Sequence, residues 1–582
     1  MKKFLSVLLL FLVVGVLFSC NKNVNEKELP KFPLTPDDGF DSWLHDNEEF
    51  DLEWYVDVSS FSWNSYGGDT VSRIIKEKTG AKIKFTTPVT DDGSKLSTLI
   101  AGNKLPDLVS VRAWDDVYSR LANQGYLYPL NDLMNNWAPS FNHRKQEDVF
   151  SWFEQADSKT YGLPNFAYSS KYMPKDEQTE PNSCILVRED YFNDIKTNTS
   201  FDMTTKQGFI DACKYIKGKY SQISYPVLMQ NFELDGNASI NLLAQYFCTP
   251  FENTDGSYHY RPTDPKFKEA VEFLNTLRKE GVLIDANLGM NYENIRTAIA
   301  QARAFVTLVT PQDFQMAFQS LYNQSPSIRY IPLVLRNQNG DDPVLQDVRG
   351  MGYLLTTVPK NCKRPDKVIK LLDYLNSEEG QRLVAFGEEG VTWNWTDSTK
   401  TKLEWTPQYL EDFNNNNTGQ YGLYQMSLQM NLAYINKLKP ENGKKPVDVY
   451  IENLKRPMTP YSYDYTASFL KHDVFFPNYT QTQNRATRVN SFFAQQYPKM
   501  IKAADKTAFD KIWDDTLNMA INNSSYLLND VIALNCSSYQ RAKNSLGLIM
   551  AWPQHLPGYV PPVTGPNGDF GYWKYLRPIW EV

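Results

Sequence analysis

The sequence predicts an α/β fold that is built from more than one structural unit. Its 582 residues exceed the usual size of a single domain, and its 42% apolar and 22% charged residues are typical of a globular protein. Strand-like and helix-like segments alternate between residues 52 and 111. Because a β-α-β-α-β order places its strands side by side and parallel, we expect a mostly parallel sheet that is covered by helices.

Each of these segments has a local reason in the sequence. Apolar residues alternate with lysines in the segment 81–86, as in a strand with one buried face. Val71, Ile74 and Ile75 fall on one face of a helix that Gly80 ends. The predicted elements are a strand at 52–58, a helix at 70–78, a strand at 81–86, a helix at 94–101 and a strand at 108–111. Ligands bind beyond the carboxyl ends of such strands. The turns at 59–64 and 112–116 are therefore the first candidates for a site.

Composition and charge exclude one class of partner and favour another. The chain has 60 Lys and Arg residues against 67 Asp and Glu residues, a net charge of −7. We therefore do not expect it to bind nucleic acid, which needs a clustered positive surface. Aromatic residues reach 14%, with 35 Tyr and 13 Trp. Flat rings that carry a polar OH or NH suit a site for sugars, although most of them are expected in the core.

The first residues are typical of a bacterial export signal. Lys2 and Lys3 precede an uncharged apolar run at 4–19, and the small residue Ser19 stands just before Cys20. That arrangement resembles the lipobox of bacterial lipoproteins, in which the cysteine becomes the lipid-modified N-terminus after cleavage. We expect a signal peptide at 1–19, lipidation of Cys20 and a flexible tether at 20–44. An uncleaved anchor is the alternative, and both place the body outside the cytoplasm, at the cell surface or in the periplasm.

No local motif predicts a metal centre, a cofactor or catalysis. The cysteines beyond Cys20 are widely spaced, at 184, 213, 248, 362 and 536, and the five histidines are equally scattered. The sequence contains no HExxH, GxSxG, P-loop or GxGxxG pattern. We therefore expect no metal, no cofactor and no enzymatic activity.

Longer motifs resemble one family, in the order in which that family carries them. They are TGAKI at 79–83, LPDLV at 105–109, KTYGLP at 159–164, LVREDY at 186–191, EGVLID at 280–285, PDKVIKLLDYLNSEEG at 365–380 and FGEEGV at 386–391. Together they span roughly residues 50 to 395 and resemble the family 1 extracellular solute-binding proteins of ABC importers. The lipoprotein subgroup of oligosaccharide and uronate importers is the most similar. The segment 304–311 also resembles a strand of this family, and we expect a strand at 304–309, although Arg303 and Ala304 replace the usual Gly-Lys at its start.

The resemblance implies a two-lobed periplasmic-binding-protein-like fold of type II. In this fold each lobe is a mostly parallel sheet flanked by helices, and the ligand lies between the lobes. On that basis lobe one comprises 45–170 and 347–395, and lobe two comprises 171–346 and 396–582. The region after 395 is longer than the family usually needs, and we expect it to be mainly helical, with helices at 491–503 and 505–518. Whether this region lies on lobe two or walls the cleft stays open.

A sugar site combines aromatic rings with planar polar side chains, because a sugar has an apolar CH face and a rim of hydroxyls. We expect such residues in the loops that follow the strands. The candidates are Trp63, Asn64, Arg112, Trp114, Asn165 and Tyr168 in lobe one, Gln230, Asn231, Phe232, Thr310 and Gln312 in lobe two, and the stacking pair Trp393 and Trp395. Each tryptophan is alternatively a packing anchor and each amide a turn or cap. Arg112 either pairs with an acidic sugar such as a uronate or forms a salt bridge with Asp115 or Asp116.

These observations predict a membrane-anchored receptor that captures a carbohydrate, an oligosaccharide above all, and delivers it to an ABC transporter permease. We expect a monomer that binds its ligand without turnover. One alternative is a secreted glycan-processing enzyme that uses two carboxylates, for which Asp190, Glu388 and Glu389 are available. The other is a peptide-binding or adhesion lipoprotein on the same scaffold.

Overall fold

The computed structural model describes residues 41–546, except 46, 60, 91, 114, 168–179, 231–237, 254, 349, 416, 436–437, 439, 441, 464 and 466–479. The predicted signal peptide, Cys20 and most of the tether lie outside these residues, as does the segment 547–582. Within the described part of the chain, no helix has both the length and the apolar character needed to cross a membrane.

Strands and helices alternate through most of the chain. The strands are β1 (Phe50–Val56), β2 (Ala81–Thr86), β3 (Leu108–Arg112), β4 (Gly162–Pro164), β5 (Cys184–Arg188), β6 (Tyr225–Met229), β7 (Ala304–Val309), β8 (Tyr330–Pro332), β9 (Leu345–Gln346), β10 (Leu354–Thr357), β11 (Trp393–Trp395), β12 (Leu403–Trp405) and β13 (Ser462–Tyr463). The α-helices are Thr70–Thr79, Ser94–Ala101, Val117–Asn123, Leu130–Trp137, Pro139–Arg144, Glu147–Trp152, Glu189–Asn198, Lys206–Lys219, Ala238–Tyr246, Pro265–Lys279, Tyr292–Ala300, Gln315–Gln324, Pro365–Asn376, Glu378–Phe386, Pro407–Asn414, Leu432–Ile435, Pro446–Asn453, Thr480–Ile501, Lys506–Asn522 and Leu528–Leu546.

The first sheet has five strands in the order β2-β1-β3-β10-β4. Strand β1 is parallel to β2 and β3, and β10 is antiparallel to both β3 and β4. All strands except β10 therefore run in one direction, which confirms the mostly parallel sheet that the sequence predicts. The predicted segments 81–86 and 94–101 match a strand and a helix of the structure residue for residue.

The second sheet has four strands in the order β6-β7-β5-β8. Strand β6 is parallel to β7, while β5 is antiparallel to both β7 and β8. Each sheet thus contains a single reversed strand, β10 in the first and β5 in the second. In both cases the reversed strand is the one that the chain forms when it arrives from the other sheet.

Capping residues fix the ends of the helices that cover these sheets. The Asp69 side chain accepts a hydrogen bond from the Ser72 backbone N–H (2.8 Å) and begins the first helix. Gly80 ends that helix at φ +72°, where a Cβ would lie 2.2 Å from the Glu48 carbonyl oxygen. Pro365 begins the helix Pro365–Asn376, as the sequence predicts.

The chain passes between the sheets through a crossing region, which we define as residues 165–167, 180–183, 346–348 and 350–353. The Asn182 N–H donates to the Gln346 carbonyl (2.8 Å), and the Val348 N–H donates to the Glu180 carbonyl (3.1 Å). Short strand β13 lies parallel to β9 beside this region. The passing segments are therefore hydrogen-bonded to each other, as in a hinge made of several strands.

Among the described residues, three apolar cores surround the sheets. Alternate residues of β1 point to opposite faces of the first sheet, so that Trp54 lies in one core and Tyr55 in another. The third core contains both faces of the second sheet, because the consecutive β5 residues Leu186 and Val187, whose side chains point to opposite faces, both belong to it. The aromatic residues of the chain contribute strongly to these cores, since Trp54 and Tyr55 are fully buried.

The region after residue 395 divides between these cores. Residues Leu403, Met426, Leu428, Met430 and Ile435 pack in the core of the first sheet, although the predicted division assigns everything from 396 onwards to lobe two. The reason is local: hairpin β11-β12 carries the chain back against the helices of the first sheet, where Leu403 is buried. The packing therefore favours a later boundary, beyond residue 435.

The C-terminal helices pack mainly on the second sheet's core. Phe493, Tyr497, Phe509 and Trp513 are buried there. Their helices, Thr480–Ile501 and Lys506–Asn522, overlap the predicted 491–503 and 505–518; the first begins earlier and ends two residues sooner, and the second begins one residue later and ends four residues later. The Asn275 side chain ties this region to the body by donating to the Ile501 and Ala503 carbonyls (2.9 and 2.8 Å). The C-terminal region is thus mainly helical, as predicted.

The last helix of the described residues, Leu528–Leu546 and called the final helix below, contacts two of the cores. Leu528 and Val531 pack with the second sheet, whereas Tyr539 and Ala542 pack in the core behind the first sheet. The buried Glu252 carboxylate accepts hydrogen bonds from the Tyr539 hydroxyl (2.9 Å) and the Lys543 ammonium (2.7 Å). This helix therefore connects the two sheets at a second place, separate from the crossing region.

Candidate functional site

The edge of the first sheet that faces the crossing region carries the first half of the candidate site. Strands β1, β3 and β4 end at this edge and β10 begins there, since Leu354 pairs with Arg112 and Leu355 with Pro164. Chain segments that follow parallel strands have no further strand partner at this edge, so their polar groups are available to a ligand. This is the position that the sequence predicts for the site.

A cavity of about 260 Å³ lies at this edge. Tyr353 and Tyr424 expose 40% and 49% of their surface, and the partly buried rings of Phe61 and Phe166 lie with them in the wall. The complete lining is Val58, Phe61, Ser62, Asn165, Phe166, Tyr353, Leu354, Tyr424, Gln425 and Ser427. The wall thus combines aromatic rings with amide and hydroxyl groups, which is the chemistry that a sugar ring requires.

Asn165 holds the floor of this cavity together. Its side-chain oxygen accepts from the Leu354 N–H (2.6 Å), and its side-chain nitrogen donates to the Ser427 carbonyl (2.9 Å). Its backbone also pairs with Leu354 and Tyr353. Only 1% of the Asn165 surface is exposed. Asn165 therefore lines the predicted site, but its side chain hydrogen-bonds to the protein backbone.

Arg112 ends β3 beside the same cavity. Its guanidinium lies 3.5 Å from the Asp115 carboxylate and donates to the Asp57 carbonyl at 3.4 Å. The Asp57 carboxylate, which is buried, accepts from the Tyr55 hydroxyl (2.7 Å). Of the two roles that the sequence leaves open for Arg112, the structure contains the salt bridge to Asp115.

The corresponding edge of the second sheet brings Gln230 and Thr310 together. These residues follow β6 and β7, and the Gln230 side-chain oxygen accepts from the Thr310 N–H (2.8 Å). The Thr310 hydroxyl is 2.8 Å from the Ser183 hydroxyl, which precedes β5. The carboxyl ends of β6 and β7 therefore meet the crossing region, as the ends of β1 and β3 do.

Charged and aromatic groups extend this second edge. The exposed Asp313 carboxylate accepts from the Gln230 amide nitrogen (3.1 Å). The Tyr292 ring stacks on Phe314 with centroids 5.0 Å apart, and its hydroxyl donates to the Asp313 carbonyl (2.6 Å). Because Tyr292 exposes 40% of its surface, this edge also offers a ring beside a hydrogen-bond acceptor.

Lys455 connects the predicted residue Gln312 to the crossing region. Its ammonium donates to the Gln312 side-chain oxygen and contacts the Glu180 carboxylate, each at 3.0 Å. Only 8% of the Lys455 side chain is exposed. Its charge is therefore neutralised by Glu180 within the protein.

Two of the predicted tryptophans are buried and therefore cannot act as exposed stacking platforms. Trp63 is buried, donates its indole N–H to Asp69 (2.7 Å) and packs on Phe85. Trp393 is buried and donates to the Gly387 carbonyl (3.0 Å). These two residues are packing anchors of the first core, the alternative that the sequence leaves open.

The neighbours of these tryptophans are more accessible. Trp395 is half-buried, with its ring edge-on to Trp393 at 5.0 Å and the Arg382 guanidinium over it at 5.7 Å. Asn64 is exposed in the turn before the first helix. Neither lies in the wall of the cavity. Trp114, Tyr168, Asn231 and Phe232, which complete the predicted set, lie outside the described residues.

The sequence-based prediction misses the tyrosines of the site. Tyr353 directly precedes β10, a position that the apolar run after it could have indicated. Tyr424 comes from a segment far along the chain, which returns to the first sheet through the hydrogen bond from its N–H to the Val384 carbonyl (2.8 Å). No local sequence pattern predicts that this segment packs against the first sheet, so the position of Tyr424 in the cavity wall could not be predicted from the sequence.

Two of the three carboxylates that an enzyme could use are engaged in scaffold contacts. Asp190 pairs with Arg188 at the end of β5 that points away from the crossing region, and Glu388 pairs with Arg73 at 3.1 Å. Within the described part of the chain, no three His, Cys, Asp or Glu side chains are grouped as a metal site. The thiols of Cys184, Cys213 and Cys362 have pKa values raised by burial, so they are poor nucleophiles and poor ligands.

Two mostly parallel sheets joined by paired crossing segments, with ring-lined edges at the crossing, define a two-lobed ligand-binding protein rather than a single-domain one. The comparison with sequence families agrees with this architecture. The chain belongs to the bacterial extracellular solute-binding protein family, whose sequence profile matches residues 72–385. A comparison with curated protein sequences returned no match.

Solved structures share the fold over almost their entire length. The substrate-binding protein FusA of a Streptococcus pneumoniae ABC transporter, solved with kestose, has a TM-score of 0.62 at 15% identity, over 85% of this chain and 100% of that one. An HMO-binding protein from Bifidobacterium longum infantis has a TM-score of 0.60 at 13% identity, over 85% and 99%. The alginate-binding protein AlgQ2 has a TM-score of 0.59 at 16% identity, over 86% and 99%. At these identities the likeness establishes the fold.

Proposed function

We propose that this protein captures a carbohydrate, specifically an oligosaccharide, between its two lobes and delivers it to an ABC transporter permease. The observation that carries the proposal is the pair of sheet edges at the crossing region. One edge offers Tyr353 and Tyr424. The other offers the exposed ring of Tyr292, whose hydroxyl donates to the Asp313 backbone carbonyl, together with the exposed Asp313 side chain. Rings that cover apolar CH faces and acceptors that bind hydroxyls are what a buried glycan needs.

The proposal includes a movement of the lobes. Lobe one comprises the first sheet with 403–435, and lobe two comprises the second sheet with the helices from 480 onwards, joined by the crossing region. Closure about this hinge would bury a ligand between the two edges, and the permease would recognise the closed form. Three similar structures agree with a glycan ligand, because their names specify kestose, alginate and HMO as what those proteins bind.

The proposal also includes the cellular setting. The protein acts as a monomer outside the cytoplasm, held to the membrane by lipid on Cys20 after removal of residues 1–19. A Cys20→Ser variant expressed in its host should move from the membrane fraction to the soluble fraction or keep its signal peptide. A Cys20→Ser protein that is still processed and retained on the membrane would contradict lipid anchoring.

A thermal-shift screen of neutral and acidic oligosaccharides tests the function. A ligand present at about 100 times its dissociation constant should stabilise the folded protein by about 2.7 kcal/mol. Mass spectrometry of the same glycans after incubation should show no change in chain length. New reducing ends would support the glycan-processing alternative, and stabilisation by peptides but not by glycans would support the peptide-binding one.

A further inference from the structure

We propose that Lys455 is a positioning residue that ties the ligand edge of lobe two to the hinge, so that capture of a ligand is coupled to closure. This role rests on the proposed function and specifies how one wall of the cleft is linked to the crossing region. It follows from the contacts among three parts of the chain that are distant in sequence. They are the loop 310–314 after β7, which we call the edge loop, the crossing segment 180–183, and Lys455 itself.

The edge loop supports the exposed ring that lobe two offers to a ligand. The Tyr292 ring stacks on Phe314 with centroids 5.0 Å apart, and the Tyr292 hydroxyl donates to the Asp313 carbonyl (2.6 Å). Phe314 is fully buried, whereas the neighbouring Gln312 and Asp313 are exposed. The position of the Tyr292 ring therefore depends on the position of this loop.

The crossing segment holds the edge loop at two points. At the start of the loop, the Thr310 hydroxyl is 2.8 Å from the Ser183 hydroxyl. Two residues later, the exposed Gln312 side chain accepts a hydrogen bond from the Lys455 ammonium (3.0 Å). The same ammonium contacts the Glu180 carboxylate at 3.0 Å. The first link is direct, and the second passes through Lys455.

A buried ammonium group suits a directional role better than a packing role. Only 8% of the Lys455 side chain is exposed, and the loss of its hydration is offset only by the partners it finds in the protein. An apolar side chain of similar length would avoid that desolvation, and such replacements are often neutral or stabilising. An apolar side chain would lack the charge-assisted contacts that fix Gln312 and Glu180 relative to each other.

Glu180 joins this contact to the paired segments of the hinge. Its carbonyl accepts from the Val348 N–H (3.1 Å), and the Asn182 N–H donates to the Gln346 carbonyl (2.8 Å). When the lobes rotate about these paired segments, Lys455 keeps the edge loop in a fixed place beside them. A ligand that binds against the edge loop therefore acts on a wall that is linked to the hinge.

Hydrogen exchange of the purified protein without ligand tests the contact itself. The Asp313 and Phe314 N–H groups donate to carbonyls three residues earlier (3.0 and 3.2 Å), and a loop that is less firmly held should open these turns more often. We expect peptides that cover 310–318 to exchange at least about threefold faster in Lys455→Met. Lys455→Arg keeps the positive charge and should lie closer to the wild type than Lys455→Met does.

Lys444→Met is the matched control. The Lys444 ammonium also pairs with a glutamate, since it lies 2.9 Å from the Glu452 carboxylate, but 44% of its side chain is exposed. This substitution removes the same charge from the same part of the chain without touching the edge loop. The exchange of 310–318 and the affinity for ligand should therefore match those of the wild type.

Binding calorimetry tests the coupling to capture. The probes are kestose, maltotriose and trigalacturonate, and each variant is measured with those that the wild-type protein binds. Lys455→Met and Gln312→Ala should each weaken binding about tenfold, which is the size of effect that one hydrogen bond to a charged group accounts for. Because both substitutions remove the same contact, the double variant should bind no more weakly than either single one.

The outcomes separate the role of Lys455 from the function beneath it. If Lys455→Met lowers only the melting temperature, and neither loop exchange nor affinity changes, the lysine stabilises the fold alone and the proposed role is wrong. Additive losses of affinity in the double variant also overturn it. If Lys455→Met does not fold, Gln312→Ala decides, because Gln312 is exposed and takes part in the same contact. A wild-type protein that binds no glycan in the wider screen overturns the proposed function, while the exchange of 310–318 still decides whether Lys455 fixes the loop.

Discussion

Asn165 provides the sharpest test of how the candidate site is held together. Substitution by alanine removes two hydrogen bonds, one from the Leu354 N–H and one to the Ser427 carbonyl. Each buried backbone group that loses its partner costs about 1–3 kcal/mol. Allowing for partial relaxation, we expect Asn165→Ala to lower the free energy of unfolding by about 2–4 kcal/mol.

Equilibrium urea denaturation, followed by tryptophan fluorescence, measures this loss. Asn64→Ala is the matched control, because it removes the same side chain from an exposed turn and should change stability by less than about 0.5 kcal/mol. A similarly small effect for Asn165→Ala would refute the reasoning. It would mean that water entering the adjacent cavity replaces both bonds, and that Asn165 is free to serve a ligand instead.

Three further predictions follow from individual contacts. Tyr424→Ala should weaken ligand binding about 10-fold to 100-fold, as measured by calorimetry. The control Met519→Ala, which changes an exposed apolar residue on a C-terminal helix, should leave binding unchanged. If the two variants bind the ligand with equal affinity, Tyr424 is not part of the site. Burial raises the pKa of Asp373 to about 7, above its unfolded value of about 3.9. The wild-type protein should therefore lose stability relative to Asp373→Asn as the pH rises from about 4 to about 7. Melting temperatures of the two proteins that change in parallel across that range would contradict this. Lys543→Ala leaves the buried Glu252 carboxylate without its cation and should cost about 3–5 kcal/mol by urea denaturation, while a loss below about 1 kcal/mol would show that the last helix is not held by this pair.

Local patterns predict the elements of this fold well. The segments 81–86 and 94–101 have clear periodicity and clear ends, and the structure reproduces them. Gly80 and Pro365 end and begin helices for the reasons that their backbones impose. Information that lies within about ten residues of sequence is therefore enough to place strands, helices and the sheet edge at which a ligand would bind.

The composition of the site depends on contacts that the sequence does not display. Trp63 and Asn64 are neighbours, yet Trp63 is buried because Asp69 accepts its indole N–H, while Asn64 stays exposed. Tyr424 enters the cavity wall only because its segment packs back on the first sheet. Contacts with residues distant in sequence decide whether such a side chain lies in the core or in the site. Residue type and position after a strand are therefore not enough to predict which it is.

The final helix has a consequence for the cooperativity of the molecule. Its first turns are part of one apolar core and its last turns are part of another, so neither body can melt without exposing surface that belongs to the other. Heat should therefore disrupt both bodies in a single calorimetric peak, even though a chain with two sheets would otherwise be expected to show two.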